Sequence, residues 1–270
     1  GVTALRFAVD DIPNTLFLVE PDGTINYNNI STFSSADYGF LLSYARKLKS
    51  AENKNVNFGI NAKVIHRGVG SFAKAWGFGI DAGLQIQKRK WQFGIVGKDI
   101  TTTFNTWAFN FTDKEKEVLY LTKNDIPVKS SELTSPRLVL AAAKSFSLSK
   151  KSNLLAEANF DVTFDGKRNT VASFDPVSID PKIGIEYSFR DIFFLRGGIN
   201  NFQQALADGD TLNLKKVWIY QPSAGVGFRI GSVFVDYAFA NLANQSNPLF
   251  THVFSLRLDF GRRDKKQSIK

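Results

Sequence analysis

The chain has 270 residues, 43% of them apolar and 22% charged, with a formal charge of +9 and an isoelectric point near 9.6. That balance excludes a disordered chain, and no run of about 18 or more apolar residues exists to form a spanning helix. Cysteine and methionine are absent, which removes disulfides, Cys-based metal sites and any initiator residue.

The chain opens on a strand-like pattern at 2–9. Further strands are expected over 38–47, 54–66, 72–88, 91–108, 136–147, 152–165, 180–189, 191–200, 215–230, 232–241 and 250–260. Successive side chains on a strand point to opposite faces, and here one face is apolar and the other hydrophilic. In 54–66 the apolar set is Val56, Phe58, Ile60, Ala62 and Val64, against Asn57, Gly59, Asn61 and Lys63. In 72–88 it is Phe78, Ile80, Ala82, Leu84 and Ile86, against residues that include Asp81. The segments 152–165 and 215–230 repeat the pattern, with Glu157 and Asp161 on the hydrophilic face of the first and Arg229 on that of the second. Segment 136–147 shows no clear face. In the last strand Phe254, Leu256, Leu258 and Phe260 alternate with Ser255, Arg257 and Asp259. No helix is expected anywhere.

Many of these strands reach the roughly 9–11 residues that cross a bilayer at a tilt. Connections alternate long and short. Tight turns fall at 89–90, 190–191 and 231–232, shorter links at 148–151 and 48–53, and long connections at 10–37, 109–135, 166–179, 201–214 and 241–250; 67–71 is a short exception. The expected fold class is therefore all-β, a transmembrane antiparallel up-and-down β-barrel with about twelve visible strands, its apolar face toward lipid and its polar face enclosed. Burying the same stripes against one another in a soluble sandwich is the alternative. Around the short turns and the tail lie sixteen Lys or Arg against three acids. These are either solvated turns or a basic rim for lipid head groups or an acidic partner.

Tyr38, Tyr44, Trp76, Trp91, Tyr187, Trp218 and Tyr220 sit near strand ends, as girdle aromatics do. The hydrophilic face carries Lys63, Asp81, Glu157, Asp161, Glu186, Arg196, Arg229, Asp236, Arg257 and Asp259. Charge there must be paired or hydrated, so an internal salt-bridge network or a polar conduit is expected. Only two histidines, His66 and His252, are available for catalysis, and neither lies in a Gly-x-Ser-x-Gly or His-Glu-x-x-His pattern. No enzymatic activity, cofactor or metal is expected. The basic residues do not interleave with stacking aromatics, so nucleic acid is not an expected partner.

Segments Ser35–Leu48, Val56–Val64, Gly77–Leu84, Val233–Phe239 and His252–Phe260 resemble the PorV/PorQ family, outer-membrane barrels related to the fatty-acid channel FadL. The resemblance implies a bacterial outer-membrane location and a role in the type IX secretion system of Bacteroidetes-type bacteria. Members bind the translocon or the attachment complex and move secreted cargo proteins between them. It implies that outer-membrane lipid, other type IX subunits and cargo are the partners; the long loops 10–37 and 109–135 are the expected partner-binding surface, since loops carry recognition on a rigid barrel. The resemblance also implies that Phe254, Leu256, Leu258 and Phe260 form a β-signal for barrel assembly. The family's N-terminal plug-like segment with its Asn-Pro-Ala-type motif is not found. A mature or truncated chain is therefore expected, with the twelve strands a remainder of fourteen and residues 261–270 a basic tail. A FadL-like channel for hydrophobic small molecules is the second reading.

Overall fold

The computed structural model describes residues 1–51, 54–127, 129–206, 216–241 and 251–260. The tail 261–270, most of the connections 201–214 and 241–250, and the centre of the turn 48–53 lie outside the described residues.

The protein is all-β and antiparallel. Its strands are β1 (Val2–Asn14), β2 (Ser31–Ala51), β3 (Lys54–Val69), β4 (Ala73–Lys88), β5 (Trp91–Lys98), β6 (Thr103–Phe109), β7 (Lys129–Thr134), β8 (Arg137–Ser147), β9 (Ser152–Thr163), β10 (Ala172–Phe174), β11 (Val177–Phe189), β12 (Phe193–Leu206), β13 (Lys216–Ile230), β14 (Val233–Ala240) and β15 (Thr251–Leu258). The sheet runs β1-β2-β3-β4-β5-β8-β9-β11-β12-β13-β14-β15, with β6 and β7 branching from β4 and β10 pairing β11. Each expected strand except 91–108 falls on one member of that path. Neighbour following neighbour is the connectivity of an up-and-down meander, and it suits sequences whose turns are alternately tight and long.

By contacts the chain forms two compact units: Gly1–Ser50 with Val56–Leu84 and Val96–Leu138, and Ala51–Asn55 with Gln85–Ile95 and Val139–Lys270. In the first unit, β1 lies on β2 with Arg6 opposite Tyr38 and Phe7 opposite Asp37, and a register shift between Val9 and Ile12. In the second, β11 pairs β9 and β12, placing Glu186 opposite Arg196, and β13 sets Gly227 opposite Asp236 on β14. The tight turns at Arg89 and at Arg190-Asp191 use positive φ, which matches the right-handed strand twist.

Burial is inverted relative to a soluble sheet. Along the first half of β4 the buried positions are Ala73, Ala75, Gly77, Gly79 and Asp81, while Trp76 and Phe78 between them stand exposed, Phe78 to 60%. Among the described residues, buried apolar side chains are confined to Ala73, Ala75, Trp107 and Ala143, whereas the buried polar set includes Asp81, Thr103, Asn105, Asp161, Thr163, Ser178 and Ser188. Ile183, Ile185, Leu195, Phe228 and Val235 are all open to their surroundings in the second unit. In water each such side chain forfeits about 1.5–3 kcal/mol of burial.

Three expectations are corrected. A helix is present: α1 (Asp113–Leu121) occupies the connection expected as plain loop at 109–135, followed there by β7. Thr112 caps it, its hydroxyl accepting from the Glu115 N–H at 3.3 Å while the Glu115 carboxylate accepts from the Thr112 N–H at 2.6 Å. A short 3-10 turn at Tyr27–Asn29 adds structure to the 10–37 connection.

The expected strand 91–108 is two strands. Asp99 and Thr102 adopt φ of 53° and 58°, and the Ile100 N–H donates to the Ile80 carbonyl at 2.9 Å, so the ladder stops and restarts. The restart changes face. Trp91, Phe93 and Ile95 are exposed in β5, but Phe104, Thr106 and Ala108 are exposed in β6. Unbroken alternation would turn Trp107 outward; instead it is buried to 8% exposure beside Ala73 and Ala75.

β1 also departs from its neighbours. Leu5, Phe7 and Val9 stand opposite Gly39, Asp37 and Ser35, on the polar face, and all three are exposed.

Candidate functional site

The polar face of the first unit is organised by Lys63 on β3. Its Nζ lies 2.7 Å from Asp81 Oδ1 and 2.6 Å from Asp99 Oδ1, and all three side chains are mostly buried. The Thr103 hydroxyl donates to Asp99, and the Asp99 N–H donates to Asp81 at 2.8 Å. Gly79 makes the arrangement possible. A Cβ there would meet the Thr103 hydroxyl and lie 2.8 Å from Lys63 Cε. The break at 99–102 is what delivers Asp99 to this lysine, so an expected strand residue becomes a member of an ionic cluster. Arg137 adds a longer-range positive charge at Asp99.

A second cation, Arg67 four residues further along β3, bridges Asp37 at 3.2 Å and Glu132 at 3.0 Å and lies 5.1 Å from the centre of the Trp107 ring. Beside it Val69, Phe72, Trp107, Phe109 and Phe111 line an apolar cleft of ≈ 350 Å³, rimmed by Ser130 and Glu132. The phenyl rings pack on one another, Phe72 on Phe111 at 6.1 Å and Phe109 on Phe111 at 6.3 Å.

In the second unit Arg196 joins Glu186, at 2.6 Å from its Nε, to Asp236 on its Nη1. Gly227 leaves the room for that pair, since a Cβ there would fall on Asp236 and 3.0 Å from Arg196 Nη1. Lys182 pairs Asp161 at 2.8 Å, and Glu157 accepts from Asn159 at 2.7 Å. These groups border a cavity of ≈ 430 Å³ whose wall includes Glu157, Lys182, Glu186, Arg196, Ser223 and Asp236. The absence of side chains at Gly184, Gly197, Gly198 and Gly225, which line the same cavity, helps to open it.

The expected network therefore resolves into separate clusters. Lys63 with Asp81, and Glu186 with Arg196 and Asp236, are brought together. Asp161 and Glu157 find partners that the sequence reading omitted, Lys182 and Asn159. Among the described residues, Arg229 and Arg257 form no ion pair with the acids on this face of β9 to β14. They sandwich Phe234 instead, with their guanidinium carbons 4.8 and 3.7 Å from the ring centre. Arg257 also meets Asp259 at 3.5 Å, in an exposed pair. Phe254, Leu256, Leu258 and Phe260 are all exposed, Phe260 to 90%.

Neither histidine contacts a serine hydroxyl or a carboxylate among the described residues. His66 stacks between Tyr38 and Trp76, and its Nδ1–H donates to the Ala75 carbonyl at 3.2 Å. His252 Nδ1 lies 2.9 Å from the Tyr237 hydroxyl. Among the described residues no group of three His, Cys, Asp or Glu converges as a metal site would require. No helix among them is long and apolar enough to cross a membrane, a fact silent on crossing by strands.

In the loops, the Asp165 carboxyl is held below the ordinary carboxylate range, first by its hydrogen bond from Arg168. Glu20 is held low in the same way by Asn26 and Asn29, whose amides donate at 3.0 and 2.9 Å.

No family profile matches this chain, and no curated protein matches it either.

Proposed function

We propose that the chain is an outer-membrane β-barrel without enzymatic chemistry, serving protein secretion of the type IX kind as a docking or shuttle subunit. The observation that carries the membrane half is the inverted burial of β4, where Trp76 and Phe78 face outward while Asp81 and Thr103 on the neighbouring strand are buried. Hydrocarbon is the solvent that makes this arrangement favourable, and a strand meander is the architecture that crosses it with its backbone paired. The secretion half rests on the segments that resemble the PorV/PorQ family, Val56–Val64, Gly77–Leu84 and His252–Phe260 among them. The loop between β1 and β2 and the α1-bearing loop between β6 and β7 supply the partner surface, since loops carry recognition on a rigid frame.

Purification tests both halves. The chain is expected to need detergent to stay monodisperse, and mild detergent extracts are expected to contain a much larger translocon barrel or a surface attachment subunit with it. A folded, monodisperse chain in plain buffer sinks the membrane reading. Detergent dependence with no co-purifying secretion subunit sinks the secretion reading alone.

The aromatic cleft of Phe72, Trp107, Phe109 and Phe111 favours one further reading, a FadL-like channel for hydrophobic molecules. A fatty acid found by mass spectrometry in the delipidated protein supports it.

A further inference from the structure

On the outward face of the first unit a row of side chains crosses four strands. Arg6 on β1 lies opposite Tyr38 on β2, its guanidinium carbon 5.9 Å from the ring centre and its Nε 3.4 Å from the hydroxyl. The Tyr38 ring stacks on His66 of β3 at 6.3 Å, and His66 packs on Trp76 of β4 at 4.4 Å. Two residues nearer the long-loop end, Lys74 on β4 stands opposite Ala108 of β6, and Lys129 of β7 stands opposite the same Ala108. With β6 between them, the two ammonium-bearing strands are roughly 10 Å apart. Below the row the same face turns apolar, with Phe78, Phe104 and Leu133 in register across β4, β6 and β7. From loop end to strand centre the face therefore reads cationic, then a polar-aromatic row with Arg6 at its edge, then wholly apolar.

Among the described residues, Arg6, Lys74 and Lys129 form no ion pair. The nearby acids Asp37 and Glu132 are on the opposite face, engaged by Arg67. Asp10 shares the face of Arg6, four residues toward the loop, and acts on it only at longer range. His66 spends Nδ1–H on the Ala75 carbonyl, which leaves Nε2 available. A bilayer interface gives this ordering a use, because rings settle at head-group depth while guanidinium and ammonium groups reach the phosphates.

We propose that this row binds the phosphates of anionic lipid head groups. Lys74 and Lys129, with one strand between them, converge on one phosphate, Arg6, three strands or roughly 14 Å from Lys74, offers its planar donor fork to a second, and the Tyr38–His66–Trp76 stack between them holds the acyl-glycerol region. The inference rests on the membrane reading given above and adds to it a specific lipid class and place.

The test is the lipid retained by the full chain in phosphatidylcholine bilayers carrying a minor fraction of phosphatidylglycerol, counted by native mass spectrometry after release. The wild-type chain is expected to keep phosphatidylglycerol over phosphatidylcholine. Substituting R6Q, or K74Q with K129Q, is expected to lower that preference about fivefold for each cation removed. K144Q, at a half-buried lysine of β8 outside the row, is expected to leave it unchanged. Flotation measures insertion separately. A chain that does not float with the bilayer overturns the membrane reading and this site with it. A chain that inserts but keeps both lipids equally, or whose preference survives loss of all three cations, overturns the site alone.

Discussion

At the scale of single residues, Gly79, Gly227 and Lys63 decide what the polar face can hold. Gly227 stands where any side chain would collide with Asp236 and crowd Arg196. Gly227→Ala is expected to destabilise the folded protein by about 1–3 kcal/mol, the usual penalty for forcing atoms into an occupied space. The shift of the unfolding midpoint in detergent measures it, and an unchanged midpoint means that the Arg196 cluster is not the tight arrangement described. Lys63 offers the converse case. Its ammonium holds two carboxylates 2.6 and 2.7 Å away in a region that is largely dry. Lys63→Ala leaves both acids without their cation and is expected to cost about 3 kcal/mol, most of it recovered when Asp81 and Asp99 are also replaced by alanine. Failure of the triple variant to recover would show that the cluster contributes packing and not charge.

At the scale of elements, alternation made the path strands legible. β3, β4, β9, β13 and β15 carry uninterrupted apolar rows, and a period of two is unambiguous when it runs that long. What escaped has a local cause in each case. α1 announces itself only by Thr112 and Glu115, a capping pair three residues apart in a segment too short and too polar to show helical periodicity. Lys182 follows Pro181 and lies just before the stretch where β11 alternates cleanly, so its pairing with Asp161 was not apparent. Arg229 and Arg257 look like salt-bridge partners by type, but an aromatic ring, Phe234, lies between them across the strands. Sequence shows which face a side chain takes and not which neighbour on that face it will choose.

The loop after β9 carries a prediction of its own. Arg168 holds the Asp165 carboxyl low, so that tether is at full strength above the ordinary carboxylate pKa and is lost as pH falls through the lowered one. Hydrogen exchange in 165–176 is expected to be constant from neutral pH down to about 5 and to rise below about 4, once intrinsic rates are removed. Arg168→Gln abolishes that acid-side step if the pair is responsible. A step that persists in the variant assigns it to another group.

At the scale of the whole molecule, the question is what surrounds the exposed apolar face. Ile183 sits near the middle of β11 and is exposed. Placing arginine there is expected to weaken insertion into vesicles by about 2–4 kcal/mol if hydrocarbon surrounds it. On a water-facing strand the same change stays within about 0.5 kcal/mol. Reversible folding into lipid vesicles, titrated with denaturant, distinguishes these values directly. The fold class was legible because a meander needs only strands and turns. The membrane assignment rests on exposure, which sequence indicates only through the identity of the outward residues.

The interruption at Asp99–Thr102 has an effect that runs down the rest of its strand. Because side chains on a strand repeat every second residue, those few residues act as a half-step in a two-beat rhythm, after which every position has changed sides. Running the same residues through as one unbroken strand, with none removed, would restore the original beat. Thr103, Asn105 and Trp107 would then turn to the outward side while Phe104 swung into their place, and Lys63 would lose the carboxylate that the kink presents to it.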